Sequence, residues 1–526
     1  MLTLSNNCIF FHHGRIHDTM EALGGEMARY KERSQDNIMV PINFAEQLLP
    51  GTFEFALNEI IDHQLDLSCF DEFYSNDEAG PKAYSPQSMV KIILYAYSKG
   101  ILFSRKIEAA CRNNIVFMAL SGEAKPDHTT IASFVSSKSE HIKEVFVQIL
   151  MICAQLDLIG VEEFALDGCK LPSNAAKEHS GTFAEYRKKI ATLEKKVQLL
   201  LHQHSLNDHA QARDRIGNAI EDIKKQKKRI QRFIETHAPR EHHPGREVKS
   251  NITDNDSAKL KTSGGFIQGY NALALTDSKH QIVLNAYPIG RQFEGDELKP
   301  FIEDSLQTAK KAGILKAEFR SATLLADTNY FSEANCRYLL QKQKVKAVIP
   351  DPQFRRRDPR FPAEKPNYSN KPRKFREQDF LYDPIRNQYR CPNGKTLPYY
   401  SKSNTGSYRG RIYRTRVGEC TDCPFVASCV RKGASRRYLF IVDRGRPTPY
   451  SQRMMEIIDS PAGRHAYAQR MGIVEPVFGN IKNNKRMNRF TLRGLPKVTV
   501  QWLYYCLVHN IEKIAATGAI NRLVTA

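Results

Sequence analysis

The sequence predicts an α/β chain: a mixed sheet, interrupted by two insertions, that follows an all-helical N-terminal segment. Two observations carry this prediction. Between residues 40 and 160 apolar side chains recur at helical spacing, with Met89, Ile92, Ile93 and Tyr97 on one stripe and Val145, Ile149 and Ile152 on another, the period that buries one face of a helix. Beyond residue 160 short strand-like runs alternate with helical ones, the order that builds a sheet flanked by helices.

In chain order, residues 1–37 include His12, His13 and His17 but have no regular period, and a loose extension is expected there. A helical N-terminal domain over 38–160 is broken at Gly80-Pro81 and Pro126, because glycine and proline interrupt helices. Within it, Asp127-His128-Thr129-Thr130 reads as the cap of a helix carrying Ile131 and Phe134, since Asp and Thr oxygens accept the free N–H groups of a first turn. Glu163 to Gly168 reads as a strand closing on Asp167. Residues 180–245 hold a helical hairpin. Tyr186, Ile190, Leu193, Val197 and Leu200 repeat at helical spacing, then Ile216, Ile220, Ile223, Ile230 and Phe233 do so again, so the arms are expected to pack antiparallel. Alternation at Gln268 to Leu275 and Ile282 to Tyr287 predicts a β-hairpin. A helix over 297–311, a strand ending at Ala326, a helix over 331–342 and a strand over 345–350 follow. A basic insertion over 351–454 separates these from the last helical stretch, which bears Glu475; the sheet domain is thus 161–350 plus 455–515.

With 526 residues, 41% of them apolar, the chain buries more than one ordinary core and is not disordered. Its net charge of +21 suits a polyanionic partner, because neutralising phosphates releases their counterions. The surplus is local: residues 351–450 hold 23 Lys or Arg against 9 Asp or Glu. No run approaches the ~20 apolar residues of a membrane span, and Cys8-Ile9-Phe10-Phe11 is too short for a secretory segment, so a cytoplasmic chain is expected.

Three carboxylates stand at the ends of these elements: Asp167, Asp327 and Glu475. Mg²⁺ and Mn²⁺ prefer oxygen ligands, and a two-metal site needs carboxylates that hold two ions roughly 3.5 to 4 Å apart. An Asp ending a strand is ordinarily a turn or cap residue, and that reading stands beside the functional one. Asp254 and Asp256 compete for the first position but sit in a loop with no strand before them.

Several motifs occur in a shared order: Tyr84-Ser85-Pro86, Ser104-Arg105-Lys106-Ile107-Glu108 and Pro126-Asp127-His128-Thr129-Thr130-Ile131, then Leu166-Asp167-Gly168, Gly269-Tyr270-Asn271, Ala326-Asp327-Thr328-Asn329-Tyr330 and Val474-Glu475-Pro476-Val477-Phe478-Gly479. With them the chain resembles the DDE transposases of bacterial insertion sequences, over residues 38 to 512. The resemblance implies a ribonuclease-H-like mixed sheet and a DNA-binding helical N-terminal domain. It implies a catalytic set of Asp167, Asp327 and Glu475 holding Mg²⁺ or Mn²⁺. It also implies cleavage and strand transfer at the terminal inverted repeats of an insertion sequence, double-stranded DNA as partner (element ends and target), a homodimer in the DNA complex, and a place at the bacterial nucleoid. A metal-dependent endonuclease without strand transfer, or a non-catalytic DNA-binding derivative, are the alternatives.

Cys391, Cys420, Cys423 and Cys429 fall inside the basic insertion. Cys-x2-Cys aims two thiolates at one tetrahedral ion and a second pair closes it, so a zinc-ribbon-like site of four cysteines is expected, with buried metal-free thiols as the alternative. An insertion rich in Arg, Tyr and Pro is expected to bury little core, leaving zinc to hold Arg409, Arg411, Arg414, Arg416, Arg436 and Arg437 against DNA. Near Glu475, one branch of the resembled family carries Tyr, two residues, Arg, three residues, Glu, six residues, Lys. Here Tyr467, Arg470, Glu475 and Lys482 place four residues between Arg and Glu. At ~100° per residue Arg470 then stands about 140° from Glu475, and Pro476 is expected to put Glu475 at a helix start or kink. Lys482 returns to Glu475's face and reads as a phosphate contact.

Overall fold

A computed structural model describes residues 41–74, 82–137, 139–206, 209–243, 245–314, 316–361, 375–405, 408–431, 433–442 and 449–524. The expected extension and the Gly80-Pro81 break lie outside these residues. Contacts divide the chain into Met1–Asn43 and Phe44–Ala526, and the architecture is that of the second unit.

Six helices open it: α1 (Phe53–His63), α2 (Pro86–Ser98), α3 (Ser104–Asn113), α4 (Ile115–Ser121), α5 (His128–Ser137) and α6 (Ser139–Gln155). The N-terminal motifs are their punctuation. Ser85 Oγ accepts the Ser88 N–H at 3.1 Å, Pro86 takes the first turn of α2, and Tyr84 donates to the Lys125 carbonyl. Asp127 accepts from the N–H groups of Thr129 and Thr130 at 2.7 and 3.1 Å, the expected cap of α5. The carboxylate of Glu108 on α3 accepts from the His128 N–H and lies 2.9 Å from His128 Nδ1, tying the two motifs together.

The main sheet is built on β1 (Glu163–Pro172), with β2 (Ala258–Thr262), β3 (Gly265–Asp277), β4 (Val283–Ile289), β5 (Thr323–Ala326) and β6 (Lys346–Val348). Its order is β6-β5-β1-β3-β2, with β4 also on β3. Strand β3 is long enough to pair β1 along one edge while its other edge takes β2 and then β4. β5 runs parallel to β1, and β6 parallel to β5. The strand expected to close on Asp167 continues to Pro172, so Asp167 lies inside β1, opposite Ala274 of β3.

Between β1 and β2 rises the helical hairpin, α7 (Phe183–Ser205) and α8 (Ala210–Thr236). Its base has a core of Phe183, Tyr186, Ile230 and Phe233; towards the tip Ile220 is buried while Leu199, Leu201 and Leu206 are exposed. Lys227 of one arm pairs with Glu194 of the other at 2.7 Å.

The basic insertion is a five-stranded antiparallel meander: β7 (Leu381–Asp383), β8 (Gln388–Arg390), β9 (Thr396–Thr405), β10 (Tyr408–Arg414) and β11 (Tyr438–Val442). Against expectation it buries a core of its own, with Phe380, Tyr389, Leu397, Tyr413, Leu439 and Ile441. Tyrosine supplies the missing apolar bulk: Tyr389 and Tyr413 meet edge to face at 4.8 Å, a geometry worth about 0.5–1.5 kcal/mol beyond area.

After α9 (Leu298–Lys311), between β4 and β5, the remaining long helices are α10 (Pro449–Asp459), α11 (Pro461–Gly479) and α12 (Leu495–Ala516). Helix α12 is buried nearly all round. Trp502 donates to the Leu273 carbonyl of β3 at 3.0 Å, while Tyr505 stacks on Tyr97 of α2 at 4.9 Å. The N-terminal helices and the sheet therefore share one continuous core.

Candidate active site

Parallel pairing brings the two aspartates together. Leu166 of β1 stands opposite Ala326, the last residue of β5, so Asp167 and Asp327 follow side by side on strands roughly 4.8 Å apart. Glu475 approaches from α11. All three line one cleft of about 810 Å³ with Glu294, and Lys170, Lys261 and Lys482 also line it.

Helix α11 does not begin at Glu475. It runs unbroken from Pro461 with Pro476 inside it, and continues as a wider turn, Asn480–Asn484, that carries Lys482 into the cleft. Pro476 cannot donate to the carbonyl four residues back, that of Gly472. Gln281 Nε2 donates to that oxygen instead, at 3.0 Å. This replacement donor explains why a proline that should have stopped the helix is tolerated.

Arg470 stands off Glu475's face, as its spacing requires, yet belongs to the site through a different partner. Its Nη1 donates to Asp167 Oδ2 at 2.6 Å, with Arg470 only 8% exposed. Burial pushes the Asp167 carboxyl above the ordinary aspartate range, the Arg470 charge pulls it back, and Asp327 pushes it up again. Tyr467 packs edge to face on Phe354 at 5.4 Å with the Arg470 guanidinium 5.7 Å from its ring, so it supports the arginine. Asp327 and Glu475 have no side-chain hydrogen bond or ion pair among the described residues.

Glu294, which sequence reasoning missed, lies between β4 and α9. It is 3% exposed, and its Oε2 accepts from the Tyr330 hydroxyl at 2.8 Å. Burial raises its pKa, the dipoles of Asn271 and Tyr330 pull it back, and the charges of Asp167 and Asp327 add to the rise. Neither periodicity nor motif spacing marks it; only its closeness in space to Asp167 does.

The rival acids are structural. Asp254 accepts from the Tyr270 hydroxyl at 2.7 Å and from the Gly494 N–H, and Asp256 accepts from the Leu495 N–H at 2.7 Å; together they hold the start of α12.

In the basic insertion, Arg437 turns inward. It donates to the carbonyls of Cys429 and Phe375, so it ties two segments of the insertion together. Arg411 and Arg414 point to opposite faces of β10, because strand side chains alternate, and Arg414 lies 3.1 Å over the Tyr400 ring. Arg416 is exposed and Arg436 stands 5.8 Å from the Tyr438 ring. Arg409 lies on β10.

Cys391, Cys420 and Cys429 border the same small core, Asn393 donates to Cys423 Sγ at 3.5 Å, and the other three thiols all act electrostatically on Cys429. No group of three His, Cys, Asp or Glu among the described residues is gathered tightly enough to hold a metal ion, so thiols and cleft carboxylates alike stand wider than a closed cage. Nor is any described helix long and apolar enough to cross a membrane.

Two family models match the chain. One, described as a transposase DDE domain, covers residues 390–515 and so includes Tyr467, Arg470, Glu475 and Lys482; the other, a transposase domain of the type DUF772, covers residues 43–137. Asp167 and Asp327 lie outside both. No curated protein and no solved structure matches the chain. Both matched segments are transposase segments, and together they support a DDE transposase of insertion sequences.

Proposed function

We propose that this transposase binds the terminal inverted repeats of its element, cuts the DNA there and joins the freed 3′-hydroxyls to target DNA, using Asp167, Asp327 and Glu475 to hold two divalent cations. The observation that carries this reading is that Asp167 and Asp327 each follow the paired residues Leu166 and Ala326 of adjacent parallel strands and line, with Glu475, one cleft that lysines also line. The strand order, β4-β3-β1-β5-β6 with β3 antiparallel to β1, supports a ribonuclease-H-like fold. The donors are oxygens, which fits Mg²⁺ or Mn²⁺, and such ions would activate the attacking water or hydroxyl and stabilise the leaving oxygen. The protein's own contribution is to hold the carboxylates on rigid strands and a helix, to fix Asp167 with Arg470, and to offer Lys482 and its neighbours to phosphate oxygens.

Asp167→Asn, Asp327→Asn and Glu475→Gln are each expected to abolish Mg²⁺-dependent cleavage while leaving end binding largely intact. Cleavage near the parental level in any one of them removes that residue from the catalytic set. A joining assay with pre-cut ends separates a transposase from an endonuclease.

For Cys391, Cys420, Cys423 and Cys429 we propose a structural zinc, supported by their thiol chemistry and by their common effect on Cys429. About one zinc per chain is expected by elemental analysis, lost in the joint Cys420→Ser, Cys423→Ser variant.

A further inference from the structure

We propose that Glu294 is a metal-facing carboxylate of this cleft and that, with Asp167 and Asp327, it binds a divalent cation before DNA arrives, whereas Glu475 adds its ligand only in the DNA complex. The proposal deepens the two-metal reading and rests on it. Glu294 is buried beside β1, and its place there is made by a missing side chain: a Cβ on Gly168 would stand 2.9 Å from Glu294 Oε2. No cation lies within ion-pair distance of Glu294 among the described residues, and the hydrogen bond that anchors it comes from the neutral hydroxyl of Tyr330. Asp167 is matched by Arg470, but no ion pair among the described residues matches Asp327. The cleft thus gathers three carboxylates of which only Asp167 is ion-paired among the described residues, although Lys170, Lys261 and Lys482 line the same cleft.

Leaving a buried carboxylate without a counter-charge is costly. A chain that keeps such a surplus at the floor of an open cleft is arranged for a cation that arrives from solution and draws the carboxylates in. A second observation points the same way. Asn271 is fully buried and its amide lies against Gly168 beside Glu294, yet neither amide atom makes a well-formed hydrogen bond, a state that buried amides rarely keep. Glu475 differs in kind. It is exposed where α11 lines the cleft, so its carboxylate is free to join when DNA closes the cleft.

The experiment is titration of Mn²⁺ into the full chain without DNA, followed by calorimetry or by the electron paramagnetic resonance of free Mn²⁺. Wild type is expected to bind; Asp167→Asn to lose binding; Glu294→Gln to weaken it at least tenfold; and Glu475→Gln to change it less than threefold. Wild-type affinity in Glu294→Gln overturns the proposal, as does a wild type that binds no Mn²⁺ without DNA. If Glu294→Gln does not fold, Glu294→Asp, which keeps the charge but withdraws it by one methylene, is expected to lower affinity severalfold, and an unchanged affinity again overturns the idea. Mn²⁺ binding that follows this pattern in a chain that cuts no DNA would instead count against the cleavage reading alone.

Discussion

At Gly168 an added Cβ would stand 2.6 Å from Asn271 Oδ1 and 2.9 Å from Glu294 Oε2, and both side chains are buried. Gly168→Ala is therefore expected to cost about 1–3 kcal/mol by overpacking and to lower cleavage by more than its loss of melting temperature explains; a variant that cleaves normally would show that Glu294 moves without consequence. Arg470 sets the second prediction. Sequence spacing alone makes Lys482 the more important of the two, because only Lys482 returns to Glu475's face. The ion pair with Asp167 reverses the order for stability: Arg470→Ala strands a largely buried carboxylate and is expected to cost about 2–4 kcal/mol, whereas Lys482→Ala is expected to leave the melting temperature nearly unchanged and to weaken end binding. Equal melting temperatures would mean that Asp167 gains its counter-charge elsewhere. Residues such as Asp167 and Asp327 were legible because they end apolar runs at strand spacing. Glu294 was not, and Arg470 was singled out without its bond to Asp167, since these placements depend on residues 127 and 303 positions away in the chain, and single-sequence periodicity holds no record of such pairings.

Among elements, α11 shows how a local rule yields to its surroundings. A proline deep inside a helix reads as a boundary, but Gln281 supplies the donor that Pro476 lacks. Gln281 also accepts from Lys513 Nζ through Oε1, so Gln281→Ala removes two side-chain hydrogen bonds and is expected to cost about 1–2 kcal/mol, read as a lower denaturant midpoint. No change would mean that water serves Gly472 equally well. The helical hairpin, the β-hairpin at β3 and β4 and the strands around Asp327 were all legible from the spacing of their apolar residues. The five-stranded meander was not. Its core mixes a few aliphatic residues and Phe380 with tyrosines and cysteines, all scattered among arginines, a composition whose mean is polar although the inward face is apolar.

For the whole molecule, the informative element is α12. His509 on this helix is fully buried, with Nε2 2.8 Å from the Gln281 carbonyl and Nδ1 3.1 Å from Asn480 Nδ2. Burial pulls its pKa down to about 4, helped by the charges of Lys513 and Lys485. A base whose pKa falls on folding stabilises the fold above its unfolded pKa, near 6.5, and that stability is lost as pH falls from there towards 4. Unfolding is expected to become easier by up to roughly 3 kcal/mol over that window, with His509→Gln flattening the dependence; an identical pH profile in the variant would assign acid sensitivity to other groups. The sequence sets the N-terminal helices apart from the sheet by period, but Tyr97 packs on Tyr504 and Tyr505. No local pattern could reveal this, because the partners lie about four hundred residues apart. The arrangement also sets an order in time. A ribosome delivers α2 some four hundred residues before α12, so the apolar faces that α12 covers stay open while that stretch is made, and the young chain depends on whatever shields those faces in the interval.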